Sequence, residues 1–535
     1  MKKLLLLFSI FCFSHSTFSQ SVIPEWAVTY GDVPGVSYYV SDMVTDKAGN
    51  VYVYGIDFDT LNHDTGIIIK YNTIGVQQWI KYDTLLSNYF GKMVVDKEGN
   101  VYIICSVLGF SFSADFITCK FDSNGDLKWR VLYNGQFDNT DVPTDLIVDD
   151  SLNVYVTGRS VGMNTYYDFA TIKYDSSGSL QWEARYDFSH NPGDLPYALI
   201  VDSLHNVYVT GQSFDTVNGC ILTVKYDING SQLWQRRVNG GSYSTPNCIT
   251  ISKDDFIYIG GTDRAPGTGD YICIKYDTAG TEQWVARYDA QDTLPYTGYD
   301  IGRSMVVDDS GNAILTGTQF YTTLLDDYAT VRFDKNGTLL WVKTYDGGGG
   351  NWDDAYSIVC DEHGNSYVYG QAADTLPFQM FTTIKYDGNG NVEWLANYPP
   401  VPQAGITYRA VAASLDSLNN IYVCGYCINS LGVRHFLTVK YGLTTSINEN
   451  HVTEKVVSIF PNPFHNTTTL KINNSENKNC QLKIYNTLGK LVETLQCNSA
   501  SSEIKIDRKN LNDGLYFFQL TASGEQLATG KFVVE

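Results

Sequence analysis

An acidic residue recurs at a fixed offset along this chain. Asp141, Asp194, Asp300 and Asp353 each stand eight residues before an Asp of a repeated text (Asp149, Asp202, Asp308 and Asp361), and Asn88 holds the same place before Asp96. Carboxylates gathered in a ring could bind a hard cation, which takes several oxygen ligands, or could accept from sugar hydroxyls. Two of them at the right separation could serve as general acid and base on a glycosidic bond. The plain alternative is that each acid caps its own turn, a role Asp fills often. Aromatic residues crowd the same connectors and loops: Tyr166, Tyr167, Tyr296, Tyr299 and Trp352, with Phe214 and Tyr356 nearby. Exposed rings beside acids and amides suit a glycan or protein ligand, and packing against neighbouring strands is their competing use.

Other chemistry finds no anchor. His63, His190, His205, His363, His435, His451 and His465 are scattered, with no two at metal-ligand spacing, and no glycine-rich phosphate loop opens a helix. No residue is assigned a catalytic role. Cysteines such as Cys105, Cys273 and Cys360 lie inside apolar strand text, where Cys is a small hydrophobe. Cys424 and Cys427 have no second pair to complete a zinc site, which favours a strand pair or a disulfide. Asp122-Ser123-Asn124-Gly125-Asp126 resembles half a calcium loop but lacks the distal bidentate Glu, so a hairpin is expected there. No cofactor is expected, with structural calcium kept as a case to test.

The elements that must position these residues are legible as a repeat. Trp recurs at 26, 79, 129, 182, 234, 284, 341 and 394. Between these tryptophans the same text returns: Asp-x-x-Gly-Asn-Val-Tyr, a variable loop, Lys-Tyr, a turn, and Gln-Trp or a variant of it. Each copy holds four short alternating segments, for example Leu146–Val148, Val154–Thr157, Ala170–Tyr174 and Leu180–Tyr186. Four strands per copy with no helical period is the blade of a β-propeller. The last copy ends at Tyr441 without a Trp-bearing strand, and the chain begins with an orphan one, Trp26–Tyr30. An all-β fold is expected, with an eight-bladed propeller over residues 22–442 that the N-terminal strand closes, leaving no open edge.

These copies resemble the bacterial SBBP β-propeller repeat family, at Asp46-x-x-Gly49-Asn50-Val51-Tyr52 and at Asn153-Val154-Tyr155-Val156-Thr157-Gly158. That resemblance implies the fold and an extracytoplasmic setting and no common activity. After a polar linker, 443–456, the text changes, and alternating segments over residues 457–535 predict a small β-sandwich. Its ordered motifs Pro461-Asn462-Pro463, Gly489-Lys490, Gly514-x-Tyr516 and the terminal Lys531-Phe-Val-Val resemble the type A C-terminal sorting domain of the type IX secretion system. The resemblance implies the secretion machinery as a partner and removal of the module after export. Asp-Ser/Thr-Leu triplets such as Asp202-Ser203-Leu204 are similar to an O-glycosylation motif of bacteria with type IX systems.

Lys2 and Lys3, an apolar run and a small-residue exit at Ser19 predict a signal peptide over residues 1–19. No later stretch has the roughly 20 apolar residues of a membrane span. The 58 acidic residues outnumber 37 basic ones, for a net charge of −21, which excludes the basic footprint of a nucleic-acid binder. The expectation is a secreted or cell-surface binding or adhesion protein that recognises glycan or protein through one propeller face. A secreted polysaccharide-active enzyme, a glycoside hydrolase or lyase working through the acids at the channel mouth, is the alternative.

Overall fold

The computed structural model describes residues 22, 24–31, 33, 36–58, 64–86, 91–108, 114–135, 139–162, 166–188, 193–214, 218–239, 243–264, 269–289, 300–320, 326–348, 352–373, 379–400, 405–442, 457–460, 462, 464–472, 480–486, 490–497, 503–509, 511–522 and 525–534. The expected signal peptide and linker lie outside them, as do Asn88, Tyr296, Tyr299, Pro461, Pro463 and Gly489. Among the described residues there is no helix, so none is long and apolar enough to cross a membrane. The chain divides into two compact units, 1–443 and 444–535.

The first unit is β-propeller-like. Ser37–Thr45, Val51–Phe58, Thr65–Tyr71 and Gln77–Asp83 pair in order as a four-stranded antiparallel sheet. The same order repeats from Gly91, Asp141, Asp194, Tyr243, Ile301 and Asp354, and a single parallel pairing of Gly219 with Tyr243 joins two of these sets. Second and third strands are covered on both faces. Val207–Val209 and Cys220–Tyr226 are buried throughout, which is why their text is continuously apolar. Fourth strands such as Leu180–Tyr186 show one face to solvent and alternate accordingly.

Side chains of the repeated text hold each sheet and staple it to the next. Asp149 Oδ1 accepts from the amides of Ser151 (2.9 Å) and Asn153 (2.8 Å), while its Oδ2 accepts from Asn153 Nδ2 (2.8 Å) and the Tyr155 hydroxyl (3.0 Å). Asp46, Asp96, Asp202, Asp361 and Asp416 repeat this pattern. The tryptophans from Trp26 to Trp341 reach out of their own sheets: Trp129 Nε1 donates to Ser176 O at 3.0 Å and Trp182 Nε1 to Ile228 O at 2.9 Å. The ring lies over the Gly of that neighbouring turn. Gly178 has φ +83°, and a Cβ there would come within 2.8 Å of the Trp129 ring, so two constraints demand Gly. Where the text departs, the contact moves. Ser252 and Phe256 replace the Asp and Asn, and the Tyr258 hydroxyl turns to Gly311 O of the next sheet at 2.9 Å.

The last set is completed from the other end of the chain. Thr407–Leu415, Ile421–Ile428 and Arg434–Tyr441 are joined by Trp26–Tyr30, in register from Trp26 with Lys440 to Tyr30 with Phe436. Trp26 Nε1 then donates to Thr73 O, a turn of the first set, at 3.0 Å. One hydrophobic cluster combines Tyr38, Val53 and Ile69 with Tyr422, Cys424 and Phe436, so the last set packs directly on the first.

In the second unit, Val457–Phe460, Thr467–Ile472 and Glu503–Asp507 form one sheet, and Leu491–Cys497, Cys480–Asn486, Gly514–Ala522 and Glu525–Val534 another. Both contribute to one core that includes Leu470, Ile484, Ile506, Phe518 and Phe532. Its motif residues have structural tasks. Asn462 Oδ1 accepts from Val533 N at 2.8 Å, the Lys490 amide donates to Asn486 Oδ1 at 3.0 Å, and Tyr516 stacks on Phe532 with centroids 5.7 Å apart. Gly514 takes φ +145°, and Lys531 is exposed.

Candidate functional site

The recurring acids sit inside the protein wall. Asp141, Asp194, Asp300 and Asp353 are 1%, 3%, 4% and 1% exposed. Asp141 accepts from Gly135 N, Asp194 from Phe188 N at 2.8 Å, and Asp300 from Phe320 N at 3.2 Å. Asp353 accepts from Gly347 N and from Ala373 N at 2.8 Å. Each carboxylate ties its entering connector, or the end of the adjacent second strand, to the start of a first strand. Each carboxylate is thus bonded to backbone amides at the mouth of its own copy.

Asp353 does approach Asp327 and Asp346, whose carboxylate oxygens lie within 4.8 Å of one another, and these are the described residues placed to hold a cation. Burial, opposed by the two amides and reinforced by Asp346 and Asp327, pushes the Asp353 carboxyl up to about 7. Burial and neighbouring acids push Asp326 and Asp327 up to about 6. An acid whose folded pKa is raised binds more protons folded than unfolded, so folding stability should rise as pH falls from about 7 toward about 4. The unfolding temperature of Asp346→Asn should therefore depend less on pH between 7.5 and 5.5 than that of the parent chain. Identical pH slopes would refute this coupling. The half calcium loop, by contrast, is a plain hairpin: Asp122 Oδ1 accepts from Asn124 N (3.0 Å) and Asp126 N (2.9 Å), and Lys81 pairs with Asp126 at 2.9 Å.

Of the aromatic residues, Tyr166 and Trp352 are each 62% exposed, while Tyr167 is half-buried beneath the Arg159 guanidinium, 4.9 Å from its ring centroid. Tyr356 is half-buried and lines a cavity of about 550 Å³ with Asn247, Arg303, Arg409 and Tyr426. The cavity residues Ile301, Arg303 and Arg409 lie at the starts of first strands, the strand end at which the variable loops and connectors also stand. These recurring acids and this cavity thus share one end of the propeller-like unit but not one set of side chains.

First strands other than Gly91–Val95 carry a bulge at one place, for example between Pro143 and Asp145, Gly302 and Ser304, and Ala410 and Ala412. It re-aims the residues beside it. Asp42, at the bulge of its strand, has Oδ2 accept from Met93 N of the next sheet at 2.9 Å, and Asp145 Oδ2 accepts from Leu199 N at 2.9 Å. Burial raises both carboxyls, and Lys92 opposes this in each. Arg303 and Arg409 have no counterpart in the other copies, and the half-buried Asp42 and Asp145 share a column, four residues before the repeat's Asp, that other copies fill with Lys92, Ala198 or Ser304.

Residues 458–535 match the family described as secretion system C-terminal sorting domain. No curated protein matches the chain. Solved structures similar to it include polysaccharide lyase Uly1 (10% identity, 78% of this chain and 99% of that chain, TM-score 0.43). Another is a puromycin hydrolase (9%, 73% and 58%, 0.44), and a third is a polysaccharide lyase of the PL25 ulvan lyase family (9%, 78% and 96%, 0.40). The chain carries at residues 458–535 a type IX C-terminal sorting domain, which engages the secretion machinery and marks the protein for the cell surface or the extracellular space.

Proposed function

We propose that the protein is a non-catalytic surface-binding or adhesion protein, an eight-bladed SBBP-type propeller closed by Trp26–Tyr30 that presents its loop face to a glycan or protein ligand. The observation that carries this reading is the division of labour within each copy. Repeated Asp, Tyr, Lys and Trp side chains are spent on turns and on staples between sheets, whereas exposed Tyr166 and Trp352 and the cavity beside Tyr356 lie at the variable end. Exposed rings next to polar groups are the usual material of such surfaces. The hydrolase or lyase alternative depends on carboxylates free to act at the channel mouth, and Asp141, Asp194, Asp300 and Asp353 are buried and bonded to backbone amides. Glycan arrays and pull-downs with the purified chain test the proposal: retention on at least one cell-surface polymer or protein is expected. A chain that bound none of them while shortening a polysaccharide would refute it.

A further inference from the structure

The cavity of about 550 Å³ at the loop end falls in the range of ligand sites. Its charged lining is confined to two arginines, in a chain with a net charge of −21. They are held differently. Arg303 is preset: its Nη2 donates to Asp354 Oδ1 at 3.2 Å, its Nε to Thr318 Oγ1 at 3.3 Å, and its guanidinium lies 5.6 Å from the Tyr356 ring centroid. Arg409 is exposed, and among the described residues its guanidinium has no hydrogen bond or ion pair. A third guanidinium, Arg434, stacks 4.4 Å from the Tyr39 ring and 5.7 Å from the ring of Tyr426, a cavity residue. Guanidinium groups present a planar donor fork that matches carboxylate and sulfate oxygens two at a time. Tyr356 and Tyr426 supply amphipathic rings against which a sugar ring can lie.

We infer that this cavity binds an acidic polysaccharide, with Arg409 as the primary contact to a carboxylate or sulfate group and Arg303 as its fixed companion. The inference rests on the surface-binding reading above and names the ligand class for it. Two acids stand beside Arg303: Asp354 pairs with it at 3.2 Å, and Asp326 is close enough to act on both. A polymer with one anion per sugar, interspersed with hydroxyls, suits both signs of charge: its anion meets the arginines and its hydroxyls donate to the acids. A run of acidic side chains on a peptide would bring only further negative charge to them.

Equilibrium binding of the full chain to polygalacturonate, dextran sulfate, neutral dextran and polyglutamate tests this at low and moderate salt. Binding of one or both anionic polysaccharides is expected, and the two arms separate carboxylate from sulfate. Arg409→Gln should weaken that binding at least 10-fold, Arg409→Lys should recover part of it, and neutral dextran should not respond to either change. Arg409 is exposed and without a partner among the described residues, so both variants should unfold at the parent temperature. Unchanged affinity in Arg409→Gln, or polyglutamate binding as tightly with the same Arg409 dependence, would overturn the inference. Retention of neutral glycans or proteins alone would overturn it while leaving the surface-binding reading intact, whereas a chain that bound no polymer or protein at all would remove both.

Discussion

A chain lacking residues 22–30 is expected to lose most of the stability of the propeller-like unit, although it gives up one short strand. That strand supplies the backbone ladder from Trp26 to Tyr30 along Arg434–Tyr441, and Glu25 adds an ion pair with Lys440 at 2.8 Å. Its aromatic residues bridge the two ends of the array. Trp26 sits 6.0 Å from the Tyr422 ring and donates to Thr73 O, while Tyr30 packs edge-on against Tyr38 at 5.5 Å and 5.9 Å from Phe436. Truncation of a core aromatic to Ala costs about 3–5 kcal/mol, and two half-buried ones together with the lost ladder still remove about 5 kcal/mol, a large part of the stability of many domains. The deletion also bares Arg434–Tyr441 as an unpaired edge, a template for association between chains. Denaturant unfolding and size-exclusion chromatography check this: an early or split transition with oligomers is expected, and Trp26→Ala alone, at a half-buried position, should cost about 2–3 kcal/mol. A truncated chain that stayed monomeric and unfolded at the parent midpoint would show that closure by this strand contributes nothing.

The closure could be read from sequence because its signals repeat. Trp26 carries the same neighbours as the other tryptophans, and the last copy plainly lacks that strand. What repeats in the text is what the fold uses to hold itself together, and that is why the recurring Asp141, Asp194, Asp300 and Asp353 drew attention and then proved to be fasteners for the backbone. First strands extend beyond their sequence pattern for a related reason. Leu146–Val148 was expected, but the strand runs from Asp141, because the bulge between Pro143 and Asp145 breaks the alternation that marks a strand in sequence. The cavity was invisible on both counts. Arg303 and Arg409 occupy different columns of different copies, and Tyr426 lies on a second strand, so only the side-by-side packing of successive copies brings them together around Tyr356. Positions where one copy departs from the consensus toward charge, such as Arg303 and Arg409, were the available signal.

Removal of residues 443–535 should have the opposite pair of effects: folding unchanged and export abolished. Every described hydrophobic cluster of the first unit draws its residues from positions up to Tyr441, and the second unit keeps a core of its own built around Leu470, Ile484, Phe518 and Phe532. Each part therefore keeps its own hydrophobic clusters when the other is removed. The truncated chain should unfold within about 0.5 kcal/mol of the parent, the range of changes that touch no packed feature. Its address should change completely. The sorting domain marks the protein for the surface or medium, and a chain without it should stop short of the outer face of the cell. Within the domain, Asn462 fastens the entering segment to the final strand through Val533 N, and Tyr516 stacks on Phe532 beneath it. Tyr516→Ala should unfold this module alone, at a cost of about 3–5 kcal/mol, and reproduce the export defect in a full-length chain. Cell fractionation with surface proteolysis measures both. Surface display of the truncated chain at the parent level would refute the sorting role, and efficient display of Tyr516→Ala would show that the machinery reads a linear segment and not a folded sandwich.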